Sequence, residues 1–262
     1  MTSPSRRLEG RVALVSGAGG PMGRAIAVTL AAQGARLLLT DISGSRLDAT
    51  VKLLEAAAIA AAGIEGGVLA VRANAMDRGE AAAVVEAGLA RFGQIDILVN
   101  VVGGVRGSNL YTPFLQLDEA QWDDTLALNL KPGFHLIQLV APLMLERGSG
   151  KIVNVSSVVF AGEAGQADYA AAKAAVASLT RSLAQEFAPH IHVNCIAPGI
   201  IRTSVVERLA EKELQGFLDR SLLRRLGRPE EIADVVAFLS SDESSFMTGE
   251  ILAVSGGNHP SL

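Results

Sequence analysis

From residue 12 almost to its end, the chain alternates short β-branched or aliphatic runs with long alanine-rich segments. Strands are expected at residues 12–16, 36–40, 68–72, 95–100, 152–156, 192–196 and 251–254. Helices are expected between them, at residues 22–33, 45–62, 78–92, 118–145, 167–187 and 230–239. A long irregular stretch follows residue 196. Several strands are apolar on both faces, as happens when helices pack above and below a sheet. Strand, helix and strand repeated in this way give a parallel sheet with right-handed crossovers. The pattern therefore predicts an α/β fold, a doubly wound parallel sheet of seven strands. Helix punctuation agrees. Gly34, Gly63 and Gly93 each follow a helical run, where a left-handed residue is needed, and Asp118 and Pro229 sit at helix starts. No linker, repeat or low-complexity tract divides residues 1–262, so a single domain is expected.

Composition narrows the function classes. Hydrophobic residues make up 49% of the 262, enough to bury a sizeable core, and only 19% are charged, which argues against disorder. Net charge is -4 with scattered basic residues, so no face suits a phosphate backbone and no nucleic-acid partner is expected. Cys195 is the only cysteine, inside an apolar run, and reads as a small core residue. His135, His190, His192 and His259 show no ligand spacing, so no metal site is expected. Arg6 and Arg7 are followed by no signal-like apolar stretch, and uncharged runs such as residues 132–145 are too short to span a bilayer. A soluble, cytoplasmic protein without membrane contact is the expectation.

The first strand runs into Ser16-Gly17-Ala18-Gly19-Gly20-Pro21-Met22-Gly23-Arg24, and then a helix begins. Such a turn lets the backbone approach a pyrophosphate, while the helix N-terminus supplies unpaired N–H groups and a positive dipole end. Asp41 directly follows the second strand, where an acid accepts the hydroxyls of an adenosine ribose. Its charge would repel a 2′-phosphate, and neither Gly20 nor Ile42 supplies a compensating base, although Arg46 is nearby. NAD(H) is thus expected over NADP(H).

Tyr169 and Lys173 stand four residues apart on one helical face. Free tyrosine titrates near 10, and a nearby cation favours the phenolate, bringing the phenol toward the working range of an acid/base catalyst. Upstream, Lys151-Ile152-Val153-Asn154-Val155-Ser156-Ser157 brings two hydroxyls to the carboxyl edge of the sheet. Downstream, Asn194-Cys195-Ile196-Ala197-Pro198-Gly199 ends at the same edge, where open α/β sheets bind ligands. With Asn100, Asn129, Thr203 and the segment from Arg225 through Pro229 to Ala233, the chain resembles the short-chain dehydrogenase/reductase family, in its shorter branch, from Gly10 to Gly257.

The resemblance implies a Rossmann-like domain and four catalytic residues. Tyr169 would exchange a proton with the substrate oxygen, and Lys173 would lower the tyrosine pKa and bond the nicotinamide ribose. Ser157 would polarise the substrate oxygen, while Ser156, its neighbour, faces the other way. Asn129 would hold a water completing a proton relay, in a helix that Pro132 should locally open. The dinucleotide would touch Gly17, Gly20, Met22, Gly23, Asp41, Asn74, Ala75, Asn100, Gly103, Tyr169, Lys173, Pro198, Gly199, Ile201 and Thr203. Three positions depart from the family. Pro21 replaces a loop glycine, Asn74 replaces the acid that meets adenine, and Val101-Val102 interrupt the motif after the fourth strand.

The substrate would lie among residues 105–114, 158–165 and 199–223, with Arg106, Asn109 and Tyr111 as polar contacts. Ile200, Val205, Val206, Leu209, Phe217, Leu218, Leu222 and Leu223 form an apolar lid or helices packing on the body. A secondary alcohol or ketone is the expected small-molecule substrate. Reduction of a 3-oxoacyl thioester is the alternative, resembled by Gly165-Gln166-Ala167-Asp168-Tyr169 and by the C-terminal motif. A non-catalytic NAD-binding regulator would need no proton relay, and an enoyl reductase of this family spaces Tyr and Lys more widely. The resemblance also implies a homotetramer with the alanine-rich helix of Tyr169 at a subunit contact.

Overall fold

A computed structural model describes residues 6–58, 67–105, 110–203, 206 and 211–258. Seven parallel strands form one sheet in the order β3-β2-β1-β4-β5-β6-β7. They are β1 Val12–Ser16, β2 Arg36–Asp41, β3 Val68–Arg72, β4 Ile97–Asn100, β5 Gly150–Val155, β6 Ile191–Pro198 and β7 Ile251–Val254. Among the described residues the helices are α1 Pro21–Ala32, α2 Gly44–Ala58, α3 Arg78–Phe92, α4 Glu119–Arg147, α5 Ala167–Phe187, α6 Glu211–Arg220 and α7 Pro229–Ser240.

Alternation along the strands builds two cores. Ala13, Val15, Leu37, Leu39, Ile97 and Val99 join α1, α2 and α7 on one face. Val12, Leu14, Leu38 and Leu98 join α3, α4 and α5 on the other. Both faces of the central strands are therefore dry, as the apolar runs required. The strand order reverses between β1 and β4, and such a reversal opens a crevice at the carboxyl edge.

Helix ends follow the expected chemistry. Asp118 and Asp77 cap α4 and α3 by accepting from Gln121 N and Glu80 N, and Gly93 and Gly34 take positive φ after α3 and α1. Gly63 and residues 59–62, expected to end α2, lie outside the described residues. Two expectations need correction. α6 stands where an irregular stretch was expected; its short, mostly polar sequence offers only Leu214, Phe217 and Leu218 as an apolar stripe. β6 runs on through Pro198, because the β7 edge supplies further partners for it. Pro132 and Pro142 both lie inside α4, so the missing donor at Pro132 does not break the helix.

At the opposite edge of the sheet, Lys151 Nζ donates to His192 Nδ1 at 3.1 Å across β5 and β6. Burial, then the Lys151 charge, lowers the His192 pKa below its ordinary 6.5. Asp242 and the backbone at Ser244 and Met247 oppose this. Because the folded pKa lies below the unfolded one, this pair's contribution is present above about pH 6.5. It is lost as pH falls toward the folded value. Thermal midpoints measured at pH 7.5 and 5 should therefore fall less in His192→Gln than in the parent; equal falls would contradict the account.

Candidate active site

The turn after β1 is held by backbone and carboxylate together. Gly17 has φ +67, its carbonyl accepts from Gly20 N at 3.1 Å, and Ala18 N donates to Thr40 O at 3.0 Å. Gly20 is the N-cap of α1 and Pro21 its first residue, where a missing N–H leaves nothing unpaired. Pro21 is thus accommodated without reshaping the helix start. Gly23 is buried, and a Cβ there would lie 2.2 Å from Gly17 O. Met22 packs its side chain toward the core beneath α1. A Cβ at Gly19 would fall 2.9 Å from the Asp41 carboxyl carbon. Gly19, absent from the expected contacts, is the residue on which the turn meets Asp41, whereas a Cβ at Gly20 would meet only Gly17 O at 3.5 Å.

Asp41 is buried at the end of β2. Its Oδ2 accepts from Gly19 N at 3.0 Å and its Oδ1 from Ser43 N at 2.8 Å. Both bonds hold the carboxylate at the mouth of the glycine turn. Asn74 N donates to Glu80 Oε2, and Asn74 Oδ1 accepts from Met76 N at 3.1 Å. Ala75 is buried and its carbonyl accepts from His135 Nδ1.

Across the reversal point, a Cβ on Gly17 would lie 3.2 Å from Val102 N, so the loops after β1 and β4 touch. The Asn100 side chain turns away from this crevice. Its Nδ2 donates to Asn154 Oδ1 at 2.9 Å, and Asn154 Nδ2 donates to Thr180 Oγ1 at 3.0 Å. The Asn100 amide thereby ties β4 to β5 and α5. A small cavity under α4, lined by Asn100, Asn129, Gly133 and Asn154, adjoins this ladder. Asn100 Oδ1 is buried there with no hydrogen-bond partner.

Four expected catalytic side chains converge on Gly103 and the start of α5. A Cβ at Gly103 would lie 2.6 Å from Asn129 Oδ1 and 2.9 Å from Lys173 Nζ. Asn129 accepts from Gly104 N at 3.0 Å and donates to Gly104 O and Thr125 O at 2.8 Å. Its amide is thus spent on clamping the loop after β4 to α4. Lys173 is buried, donates to Val155 O at 2.9 Å, and stands 5.5 Å from the centre of the Tyr169 ring. Ser157, beyond β5, hydrogen-bonds Tyr169. Ser156 donates to Lys173 O at 2.8 Å on the other side, so the two serines diverge as alternation requires.

Electrostatics differ from expectation in one respect. Burial pushes the Tyr169 phenol up to about 12, and the Ser157 hydrogen bond pulls it down only in part. Burial brings Lys173 down to about 8. The Lys173 ammonium is itself desolvated and directed to a carbonyl. Cys195 is buried with its thiol raised to about 11, consistent with a core role.

The far wall comes from β6. A Cβ on Gly199, which follows Pro198, would lie 2.7 Å from Ser255 Cα, so only glycine permits this approach. Ile201 bridges to Gly227, and Thr203 O accepts from Val206 N at 3.0 Å. Tyr111 packs over Gly165 and stacks on Phe217, with ring centres 6.4 Å apart. Arg220 lies over Phe217 and pairs with Glu163 at 2.9 Å. Arg106, Asn109, Val205 and Leu209 lie outside the described residues.

Asp168 was named only within a motif. It is 3% exposed and accepts from Thr125 Oγ1 at 2.8 Å, coupling α4 to α5 beside Tyr169. A buried acid one residue before Tyr169 is the signal that could have marked it. Among the described residues no group of acids, histidines and cysteine could hold a metal, and no helix is long and apolar enough to cross a membrane.

A dinucleotide fits this arrangement. Gly17, Gly19 and Gly23 leave a bare backbone cradle at the N-terminus of α1, and Asp41 lies at the outer end of that cradle. Residues 17–259 match a family model described as enoyl-(acyl carrier protein) reductase. A 3-oxoacyl-[acyl-carrier-protein] reductase, FabG of Thermotoga maritima, is 42% identical over 96% of this chain and 98% of its own. The BbsD subunit of (2S)-[(R)-hydroxy(phenyl)methyl]succinyl-CoA dehydrogenase from Thauera aromatica is 39% identical over 95% and 97%. Among solved structures, a 7α-hydroxysteroid dehydrogenase complexed with NADH and 7-oxo glycochenodeoxycholic acid superposes with TM-score 0.88 at 32% identity, over 100% of this chain and 99% of that one. Levodione reductase gives TM-score 0.89 at 34% identity, over 97% and 99%. The chain is thus an oxidoreductase acting on CH–OH groups, and it belongs to the short-chain dehydrogenase/reductase family.

Proposed function

We propose that this protein interconverts a 3-hydroxyacyl and a 3-oxoacyl thioester with NAD(H), working as one domain over residues 1–262. The reading is carried by the hydrogen-bonded pair Ser157–Tyr169 beside buried Lys173, facing the loop of Gly103. A bound nicotinamide supplies or accepts the hydride. Ser157 holds the substrate oxygen, and Tyr169 gives it a proton on reduction and takes one on oxidation. With its phenol pushed up to about 12, Tyr169 stands protonated at neutral pH, ready to act as an acid. Lys173 orients the nicotinamide ribose, and Asn129 keeps the Gly103–Gly104 loop against it. Gly17, Gly19, Gly20, Met22 and Gly23 carry the pyrophosphate; Asn74 and Ala75 border adenine; Pro198, Gly199, Ile201 and Thr203 border the carboxamide.

Thioester chemistry is favoured by the substrates named for FabG and BbsD. The aromatic pair Tyr111–Phe217 near the start of α5 suits the apolar part of an acyl group. Reduction of acetoacetyl-CoA, followed by loss of NADH absorbance, tests the substrate. Turnover of cyclic ketones without any turnover of acetoacetyl-CoA would replace this reading with that of a dehydrogenase for free ketones. The protein is further read as a cytoplasmic homotetramer, with the small residues of α5 at a contact between subunits; a monomer mass by light scattering would contradict this.

The NAD(H) preference rests on Asp41. Its buried charge opposes a 2′-phosphate and accepts from ribose hydroxyls. Fluorescence titration should give an affinity for NADH at least about tenfold above that for NADPH, a difference of about 1.4 kcal/mol. Equal affinities would overturn the preference.

A further inference from the structure

The edge of the sheet opposite the Tyr169 site places a nucleophile beside a base. Lys151 and His192 are register partners on β5 and β6, and both are partly buried. Lys151 Nζ donates to His192 Nδ1 at 3.1 Å. With Nδ1 accepting, the ring proton belongs on Nε2, and hydrogen bonds to the main chain at Ser244 and Met247 hold the ring. A base oriented on one side and facing a nucleophile on the other is the arrangement that activates side chains for covalent chemistry. Burial lowers Lys151 below its ordinary 10.5; Asp242 opposes this and Arg11 adds to it. Asp242 is itself paired with Arg11 at 3.5 Å, which divides its pull on the lysine. Lys52 on α2 and Lys131 on α4 differ in being exposed, and Lys173 is committed to Val155 O.

We propose that Lys151 is a site of covalent acylation by acyl thioesters, with His192 as its general base. The neutral amine gives one N–H to His192 Nδ1 and keeps its lone pair for attack. Nζ adds to the thioester carbonyl, the new N–C bond forms, and the C–S bond breaks with its electron pair leaving on sulfur. The proton shed by Nζ passes to Nδ1 and from there to the thiolate. An amide and a free thiol result, and nothing is oxidised or reduced. The imidazolium that forms in passing is favoured by the Ser244 and Met247 carbonyls and by Asp242, each of which raises the His192 pKa. After transfer the amide still has one N–H for Nδ1, so the acylated side chain can keep its place between the strands. Lysine reacts here as the uncharged amine, the form that burial favours. This chemistry is independent of the reaction assigned to Tyr169.

The test incubates the full-length protein with acetyl-CoA, without nicotinamide, at one mildly alkaline pH. Acetylation of each lysine is followed in time by peptide mass spectrometry, with K151R as the blank for the Lys151 peptide. Lys151 should acquire the group at least about tenfold faster than exposed Lys52 and Lys131, a modest share of what general base catalysis supplies. H192Q leaves an acceptor beside the amine and removes the base, so labelling of Lys151 should slow at least about tenfold while Lys52 and Lys131 keep their rates. Labelling of Lys151 in the parent no faster than that of Lys52 and Lys131 would overturn the proposal, and this comparison needs no variant to fold. An unchanged Lys151 rate in folded H192Q would overturn it equally.

Discussion

Replacing Tyr169 with Phe should lower kcat by about 10²- to 10⁴-fold, the range that general acid–base catalysis contributes, and leave NADH binding nearly intact. The substitution removes one oxygen. The ring keeps its place below Lys173, whose Nζ is held independently by Val155 O. What disappears is the hydroxyl bonded to Ser157, and with it the only proton donor assigned to the substrate oxygen. Ser157 cannot replace it, because a serine hydroxyl polarises a carbonyl without giving up a proton near neutral pH. The same shift sets the direction. A phenol near 12 is protonated at pH 7, so ketone reduction should run readily there and alcohol oxidation should climb toward alkaline pH. Steady-state rates in both directions, with NADH affinity measured by fluorescence, decide the matter. More than a tenth of parental activity surviving in Tyr169→Phe would end the acid/base assignment.

Where a side chain's role follows from position along a strand or helix, the sequence could be read directly. Apolar runs such as Val12–Ser16 are buried on both faces and could only be central strands, and Asp41 had to emerge at the carboxyl edge beside the glycine turn. Ser157 and Ser156 separate because neighbouring residues on an extended chain point apart. What escaped depends on distances between segments far apart in the chain. Asn100 sits at the expected strand end, yet its amide is drawn inward by Asn154, a partner fixed by the β4–β5 register. Gly19 acquires meaning only once α2 is folded against the turn, which brings Arg46 Cβ to 2.8 Å from where a Gly19 Cβ would be. The phenol pKa was misjudged for a similar reason. Spacing places an ammonium near Tyr169, but not how deeply both groups are buried, and burial is the first cause for each.

Gly23→Ala should be the most damaging single-methyl change at the cofactor site. The added carbon would sit 2.2 Å from Gly17 O, 2.8 Å from Gly17 C and 2.9 Å from Ala18 Cα. All three are main-chain atoms of the turn, so no side chain can rotate aside. Relief requires α1 to back away from the turn or the turn to open. Backing away strains α1 against α7, with which it packs over the first core. Opening the turn separates Gly20 N from Gly17 O and withdraws the α1 N-terminus from where a pyrophosphate would lie. Overpacking of this kind typically costs about 1–3 kcal/mol, and here the same displacement spoils the anion cradle. NADH affinity should fall by about a hundredfold or more, and the melting temperature by several degrees, roughly what 2–3 kcal/mol produces in a chain of this size. Alanine at Gly20, where the added carbon would meet only Gly17 O at 3.5 Å, should cost far less in stability. Equal melting temperatures for the two variants would show that α1 does not approach the turn as closely as Gly23 requires.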